Sequence, residues 1–340
     1  MAIEVGGAAK RIGLALSGGG FRAAAFHLGV MRELQRLRIL GRLDLVSCVS
    51  GGSIAGGALV VCWRDPAGAL EKLEQYLKTK SIAVASVLGG ALDPFSSRLD
   101  KLADTYDRDL FRGARLSALK SGPRVYFNTT NLATGNMFSF VAGGGKEEEM
   151  GEHELGFAGA SDFLLSRAVA ASSAFPPVFP PLRLDPDVYP PAAGVEYVTL
   201  TDGGIYDNMG VNPLLRARNA LDYLIVSDGG RPFAMEERPT ESGAIVLKAS
   251  LDIMMEQIRG LEFDRIEHRH LAGKGPRPLW FSIDSKQGEK QPGDASFASS
   301  IDTNLKKLSD EEMAVLTRHG GALLAARIEQ FAPELKTVGP

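Results

Sequence analysis

Three short stretches of this chain combine glycine with a group able to do chemistry. The first is Val46-Ser47-Cys48-Val49-Ser50-Gly51-Gly52-Ser53-Ile54-Ala55-Gly56-Gly57. It reads as an apolar strand, a sharp glycine turn with a serine at its apex, and the start of a small-residue helix. That is the arrangement of a nucleophile elbow. Ser53 would stand at the carboxyl end of a parallel strand, with helix N–H groups behind it for a developing oxyanion. Gly51 and Gly52 suit so tight a turn because a side chain would clash there. Against the pattern G-x-S-x-G, Gly51-Gly52-Ser53-Ile54-Ala55 carries alanine at the last position, where packing needs only a small residue. Glycine–serine loops also form plain turns and phosphate sites, so the rest of the chain has to decide.

The second stretch is Gly18-Gly19-Gly20-Phe21-Arg22, between an apolar run and a helix-patterned segment. Three glycines there leave backbone N–H groups bare and able to approach a ligand oxygen. Gly18, Gly20 and Ala23 fit the dinucleotide pattern G-x-G-x-x-A, but that reading requires an acid at the end of the next strand. The nearest acid, Asp44, opens that strand, and Ser50 closes it. The other functional reading is an oxyanion hole made by Gly18, Gly19 and Gly20. It would face the elbow serine from a neighbouring strand at the same carboxyl edge of the sheet. A plain glycine turn is the bland alternative.

The third stretch is Asp202-Gly203-Gly204, which follows a strand read at Tyr197 to Leu200. A serine nucleophile needs a base. The chain has five histidines, His27, His153, His268, His270 and His319. None follows a strand as a triad histidine would. His27 reads as a packing residue on a helix, and the last three lie in charged helix ends that read as solvent-facing. A direct Ser53–Asp202 pair is therefore the more economical arrangement. Asp228-Gly229 repeats the Asp202-Gly203 pattern and is either a rival base or a turn former.

These groups need a scaffold, and the chain supplies one. It has 340 residues, 44% hydrophobic and 23% charged, enough apolar surface for a large core in one long α/β domain. Arg11 to Ser17 and Leu43 to Val49 read as buried strands, joined by a helix from Phe21 with Phe26, Val30, Leu34 and Leu37 on one face. That is the size of a right-handed βαβ unit. Further strands read at Arg124 to Thr130, Met137 to Val141, Leu221 to Ser227 and Leu279 to Ile283. Further helices read after Ser53, at Leu70 to Lys78, Leu164 to Ser172, Ala244 to about His270 and Ser309 to Phe331, the last with a capping box from Ser309 and Glu312. Gly143 to Glu154 reads as a solvated loop. The alternation predicts an α/β chain, a three-layer α/β/α sandwich with a mainly parallel central sheet.

The net charge of −3 gives no argument for nucleic acid or an anionic surface. Cys48 and Cys62 read as buried free thiols and fit a reducing compartment. The start of the chain lacks a basic region followed by an apolar run, and no run of about 18 apolar residues occurs. A cytoplasmic chain without a signal peptide or transmembrane segment is the expectation.

With the three stretches in this order, the sequence resembles the patatin-like phospholipase family. Gly18-Gly19-Gly20-Phe21-Arg22 is similar to its glycine-rich oxyanion motif, Gly51-Gly52-Ser53-Ile54-Ala55 to its serine elbow, and Asp202-Gly203-Gly204 to its D-G-G/A motif, continued by Asp207-Asn208 and Pro213. Its proline-bearing segment resembles Ala171-Ser172-Ser173-Ala174-Phe175-Pro176-Pro177-Val178-Phe179-Pro180. The resemblance covers about residues 11–230. It implies a Ser–Asp dyad in a three-layer fold, with Ser53 as nucleophile, Asp202 as base and Gly18, Gly19 and Gly20 as oxyanion donors. It implies a lipid or phospholipid substrate, hydrolysis of the phospholipase A or lysophospholipase type, and no cofactor or metal. Gly51, Gly52, Gly203 and Gly204 support the site. Arg22 either holds the glycine loop through a carboxylate or carbonyl, or binds a substrate phosphate. Residues 8–230 form the core on this reading, with 231–340 a mostly helical extension packed on the same domain.

Lipid access has two candidate elements, the basic stretch Leu261 to Arg277 and the apolar stretch of residues 81–97 as a lid or core helix. Transient membrane-surface contact through the first competes with a plain solvated face. Two other functions share these motifs: a short-chain carboxylesterase on the same dyad, and a nucleotide-binding or scaffold protein that does not hydrolyse.

Overall fold

The computed structural model describes residues 3–5, 7–82, 96–191, 194–233 and 242–337. A hairpin of β1 (Ile3–Val5) and β2 (Ala8–Lys10) leads into β3 (Ile12–Leu16), α1 (Gly20–Arg36), β4 (Leu45–Cys48) and α2 (Gly51–Val61). Then come α3 (Pro66–Thr79), α4 (Ser96–Tyr106), β5 (Arg124–Asn131), β6 (Met137–Ala142), β7 (Glu149–Glu152), β8 (Gly156–Gly159) and α5 (Leu165–Ser172). The chain closes with β9 (Leu182–Leu184), β10 (Val198–Asp202), α6 (Gly204–Asp207), β11 (Tyr223–Asp228), α7 (Gly243–Leu271), β12 (Arg277–Ser282), α8 (Asp294–Ser300) and α9 (Asp310–Phe331).

The expected α/β/α architecture is present. Strands β12, β11, β3, β4 and β5 lie side by side and parallel. Past β5 the sheet continues antiparallel through β6, β7 and β8. Central parallel strands are covered on both faces, so their side chains are apolar without interruption. In β3, Leu14 and Leu16 join Phe26, Leu28, Ile54, Leu316 and Leu323 from the helices of one face. Ala15, between them, joins Met209, Leu214, Leu224 and Ile266 on the other. Successive strand residues alternate sides, which is why one strand feeds two clusters. No helix among the described residues is long and apolar enough to cross a membrane.

Several expectations are corrected. Part of the stretch 143–154 forms the hairpin of β7 and β8 instead of a loop. Its polarity is misleading because Glu152 is buried, accepting from Thr134 Oγ1 at 2.9 Å, Asn136 Nδ2 at 3.1 Å and the Glu154 N–H at 2.9 Å. His319 is fully buried, not solvent-facing, with Nε2 on Ile283 O at 2.8 Å. Two arginines of the basic stretch, both at the surface, bond within the protein. Arg265 donates to Asn212 Oδ1 and Arg277 to Phe331 O and Glu334. Most of the apolar stretch 81–97 lies outside the described residues. The final helix has the expected capping box, Ser309 with Glu312.

Candidate active site

Two strands meet end to end on β5. β4 runs parallel to its first half, with Cys48 opposite Phe127. β10 runs antiparallel to its second half, with Asp202 opposite Thr129. The other edge of β5 is taken by β6 from Val125 to Thr130, so β4 and β10 share one edge. Their carboxyl ends therefore face each other across two residues of β5, about 7 Å. Asp202 ends a strand antiparallel to β5. It reaches the same place from the opposite direction.

Ser50 occupies the turn, and Ser53 does not. Ser50 lies between β4 and α2 with φ 49° and ψ −114°, a backbone region that L residues other than glycine rarely adopt. It is partly exposed. This is the strained strand-to-helix junction that presents a nucleophile. Ser53 sits one turn into α2, fully buried, with its hydroxyl on Ser172 Oγ at 2.8 Å. The sequence reading placed the apex three residues too late, because it required glycine two positions before the serine. About Ser50 the motif is Cys48-Val49-Ser50-Gly51-Gly52. Gly56 on α2 makes room for the larger first residue, since a Cβ there would lie 2.3 Å from Cys48 Sγ.

Ser172, at the end of α5, ties these pieces together. Its Oγ donates to Asn128 O at 2.6 Å and accepts the Ser50 N–H at 3.0 Å. With the Ser172 proton committed to Asn128, the Ser53 hydroxyl is the donor in the Ser53–Ser172 bond. The same segment fixes β10, with Asp202 N–H donating to Ala174 O at 3.1 Å and Thr201 Oγ1 to the same oxygen at 2.8 Å. The proline-bearing segment thus positions both the elbow and the carboxylate.

The Asp202 carboxyl is almost fully buried, and burial raises its pKa to about 7. Oδ1 accepts the Gly204 N–H at 2.7 Å, and Oδ2 has no hydrogen bond of ordinary geometry. The Gly204 N–H and the nearby Ser50 hydroxyl lower the pKa against burial. Asp228, the rival base, is fully buried under Arg259 Nε at 2.6 Å and carries structure. His27 is neutral in the core, its pKa lowered to about 4 by burial, with Nε2 on Ser17 O and Nδ1 on Ser227 Oγ.

The glycine loop abuts the elbow. A Cβ on Gly51 would fall 2.2 Å from Gly20 O, and one on Gly52 2.1 Å from Leu16 O. Gly18 differs from its neighbours, because its N–H donates to Asn208 O at 3.0 Å and is therefore occupied. The N–H groups of Gly19 and Gly20 have no protein acceptor among the described residues. Arg22 is wholly buried and donates to Ile301 O at 2.8 Å and Gly229 O at 3.1 Å. It stitches the loop to carbonyls, and burial lowers its pKa to about 10.

The sequence reading missed Asn208 as a site residue. Cβ atoms on Gly18 and Gly204 would fall 2.3 and 2.7 Å from its Oδ1, and one on Gly230 3.0 Å from its Nδ2. Three glycines therefore leave the space its amide fills, beside Ser50 and Asp202. Their grouping after single strands is the signal that could have found it. Gly203 lies with its Cβ position 2.3 Å from Asn128 O. Among the described residues no group of three or more His, Cys, Asp or Glu side chains converges as metal ligands would.

A strained serine, a carboxylate poised near neutrality and two unpaired N–H groups can together attack a carbonyl and hold the resulting oxyanion. The patatin-like phospholipase model matches residues 14–215. Among solved structures, human GIVD cytosolic phospholipase A2 superposes with a TM-score of 0.62 at 12% identity, over 97% of this chain and 62% of that one. The same human protein in complex with methyl gamma-linolenyl fluorophosphonate gives 0.55 at 13% identity, over 97% and 59%. This chain thus spans about three-fifths of the length of those chains, and likeness at that identity is one of fold. No curated protein matches the sequence.

Proposed function

The chain belongs to the patatin-like phospholipase family, and from that premise we propose that it hydrolyses lipid acyl esters through Ser50 and Asp202, in the manner of a phospholipase A or lysophospholipase. The observation that carries this is the pairing of a strained, partly exposed Ser50 with a buried carboxyl raised to about 7.

Ser50 Oγ attacks the ester carbonyl as Asp202 Oδ2 accepts its proton. The N–H groups of Gly19 and Gly20 hold the tetrahedral oxyanion, each donor contributing about 3 kcal/mol. Asp202 returns the proton to the leaving alcohol and then draws one from water to release the acid. Ser53, first taken as the nucleophile, is a positioning residue through Ser172. Gly18 and Asn208 hold the glycine loop to the D-G-G turn. Arg22 serves the fold rather than a substrate phosphate.

Fatty-acid release from dispersed phosphatidylcholine tests the reading. Release by wild type, with loss in Ser50→Ala and Asp202→Asn, supports it. Unchanged release in Ser50→Ala overturns it.

A further inference from the structure

Helix α7 turns its apolar side outward. Val246, Leu247, Ile253, Met254 and Leu261 are all exposed, Leu247 at 65% and Leu261 at 68%. At helical spacing these five, with Ser250 and Gln257 between them, fall in one sector of about 120°. Every charged residue between 246 and 261 lies outside that sector: Lys248, Asp252, Glu256 and Arg259. Lys248 pairs with Asp252, and Arg259 with Asp228 and Glu256. A solvent-facing surface helix has the opposite pattern, charges outward and apolar side chains inward.

The position of this stripe is specific. α7 leaves the sheet after β11 and returns to the start of β12, so it runs against the strands. Arg259 is level with their carboxyl ends, since it reaches Asp228 on β11 and Ser282 on β12. Residues 243–258, about 24 Å of helix, therefore lie on the carboxyl side of the sheet. This is the edge where Ser50 and Asp202 lie. On the inward side, Met255 Cε lies 3.4 Å from the Cβ position of Gly204, whose N–H holds Asp202.

We propose that this stripe docks the protein on the surface of aggregated phospholipid, with Val246, Leu247, Ile253, Met254 and Leu261 among the acyl chains. The proposal rests on the lipid-hydrolase reading, because a lipid ester is the ligand that must pass from such a surface to Ser50. The stripe has no cation of its own, so docking depends on apolar area and not on anionic headgroups.

The test uses the full chain with phosphatidylcholine vesicles and a fluorophosphonate probe. Leu247→Glu with Met254→Glu and Leu261→Glu lowers vesicle partition by about tenfold or more. Fluorophosphonate labelling without lipid stays at the wild-type level, which shows the fold and site intact. Gln257→Trp, at the centre of the stripe, shows a blue-shifted emission on adding vesicles, and partition is unaltered by salt. The proposal is overturned if wild type does not partition, if the triple variant partitions equally, or if wild type is a dimer that the triple variant dissociates. A wild type that partitions but is never labelled contradicts the hydrolase reading and leaves docking established.

Discussion

Ser50 and Asp202 are brought together by two strands that run toward each other along one edge of β5. β4 delivers the serine and β10 the carboxylate, and Ser172 bonds into the elbow while its neighbour Ala174 holds β10. Neither residue is placed by a loop alone. Asp202 sits in a buried strand end, and that burial, opposed only by Gly204 and Ser50, raises its pKa to about 7.

Activity should therefore follow the ionisation of Asp202. The base works only as a carboxylate, so kcat/KM rises with pH along a single ionisation with its midpoint near 7. A pH–rate profile on a soluble ester measures this. A profile flat from pH 5 to 9 would contradict the role of Asp202.

Stability should run the other way. In the fold Asp202 titrates near 7, against about 4 in an unfolded chain. Between these values the folded chain holds a proton that the unfolded chain has lost. The stability Asp202 contributes is present below about pH 4 and declines as pH rises to about 7, by up to about 4 kcal/mol. Asp202→Asn removes this decline. It should be more stable than wild type at pH 8 and nearly equal at pH 4, as measured by denaturant unfolding.

Gly18→Ala and Gly20→Ala should separate site geometry from folding. A Cβ on Gly18 meets Asn208 Oδ1 at 2.3 Å, the movable end of a side chain. Stability falls by less than about 1 kcal/mol while kcat drops about tenfold or more as the amide is displaced beside Ser50. Gly20 has φ +62°, and its Cβ would lie 2.4 Å from Asn304 O, which is backbone. That variant loses several kcal/mol, on the order of 3, and thermal melts distinguish the two.

Arg22→Leu should destabilise the chain by about 2–4 kcal/mol, because Gly229 O and Ile301 O lose a buried charged donor. Arg22→Lys recovers only part of this, since one ammonium cannot span both carbonyls. A melting temperature equal to wild type in Arg22→Leu would show that the stitch contributes nothing.

Much of this site was legible in the sequence, and the misses have physical causes. Glycine runs after apolar strands marked all three loops because only glycine tolerates such close backbone approach, as the Cβ positions on Gly51, Gly52 and Gly203 show. The apex of the turn is three residues earlier than the pattern suggests because the pattern demands glycine where Cys48 stands, and the compensation, Gly56 on α2, is visible only in three dimensions. The direction of β10 was not readable, since an apolar run is the same for a parallel or an antiparallel neighbour. The hairpin of β7 and β8 was hidden by the charge of Glu152, which is satisfied by Thr134 and Asn136 from the turn between β5 and β6. The outward stripe of α7 was not legible, because periodicity alone does not say which side of a helix faces the protein.

Ser53→Ala tests the division of roles within the elbow. Loss of its bond to Ser172 costs about 1 kcal/mol and lowers kcat by less than about tenfold, because Ser172 still holds the Ser50 N–H. A steady-state comparison with wild type measures both parameters.

The most direct measurement is the site of fluorophosphonate attachment. Wild type, Ser50→Ala and Ser53→Ala are treated with the probe, and the adduct is located by fragmentation of the peptide spanning both serines. Labelling of wild type and Ser53→Ala at Ser50, with none in Ser50→Ala, is the predicted result. An adduct on Ser53, or labelling that survives Ser50→Ala and is lost in Ser53→Ala, would contradict the account.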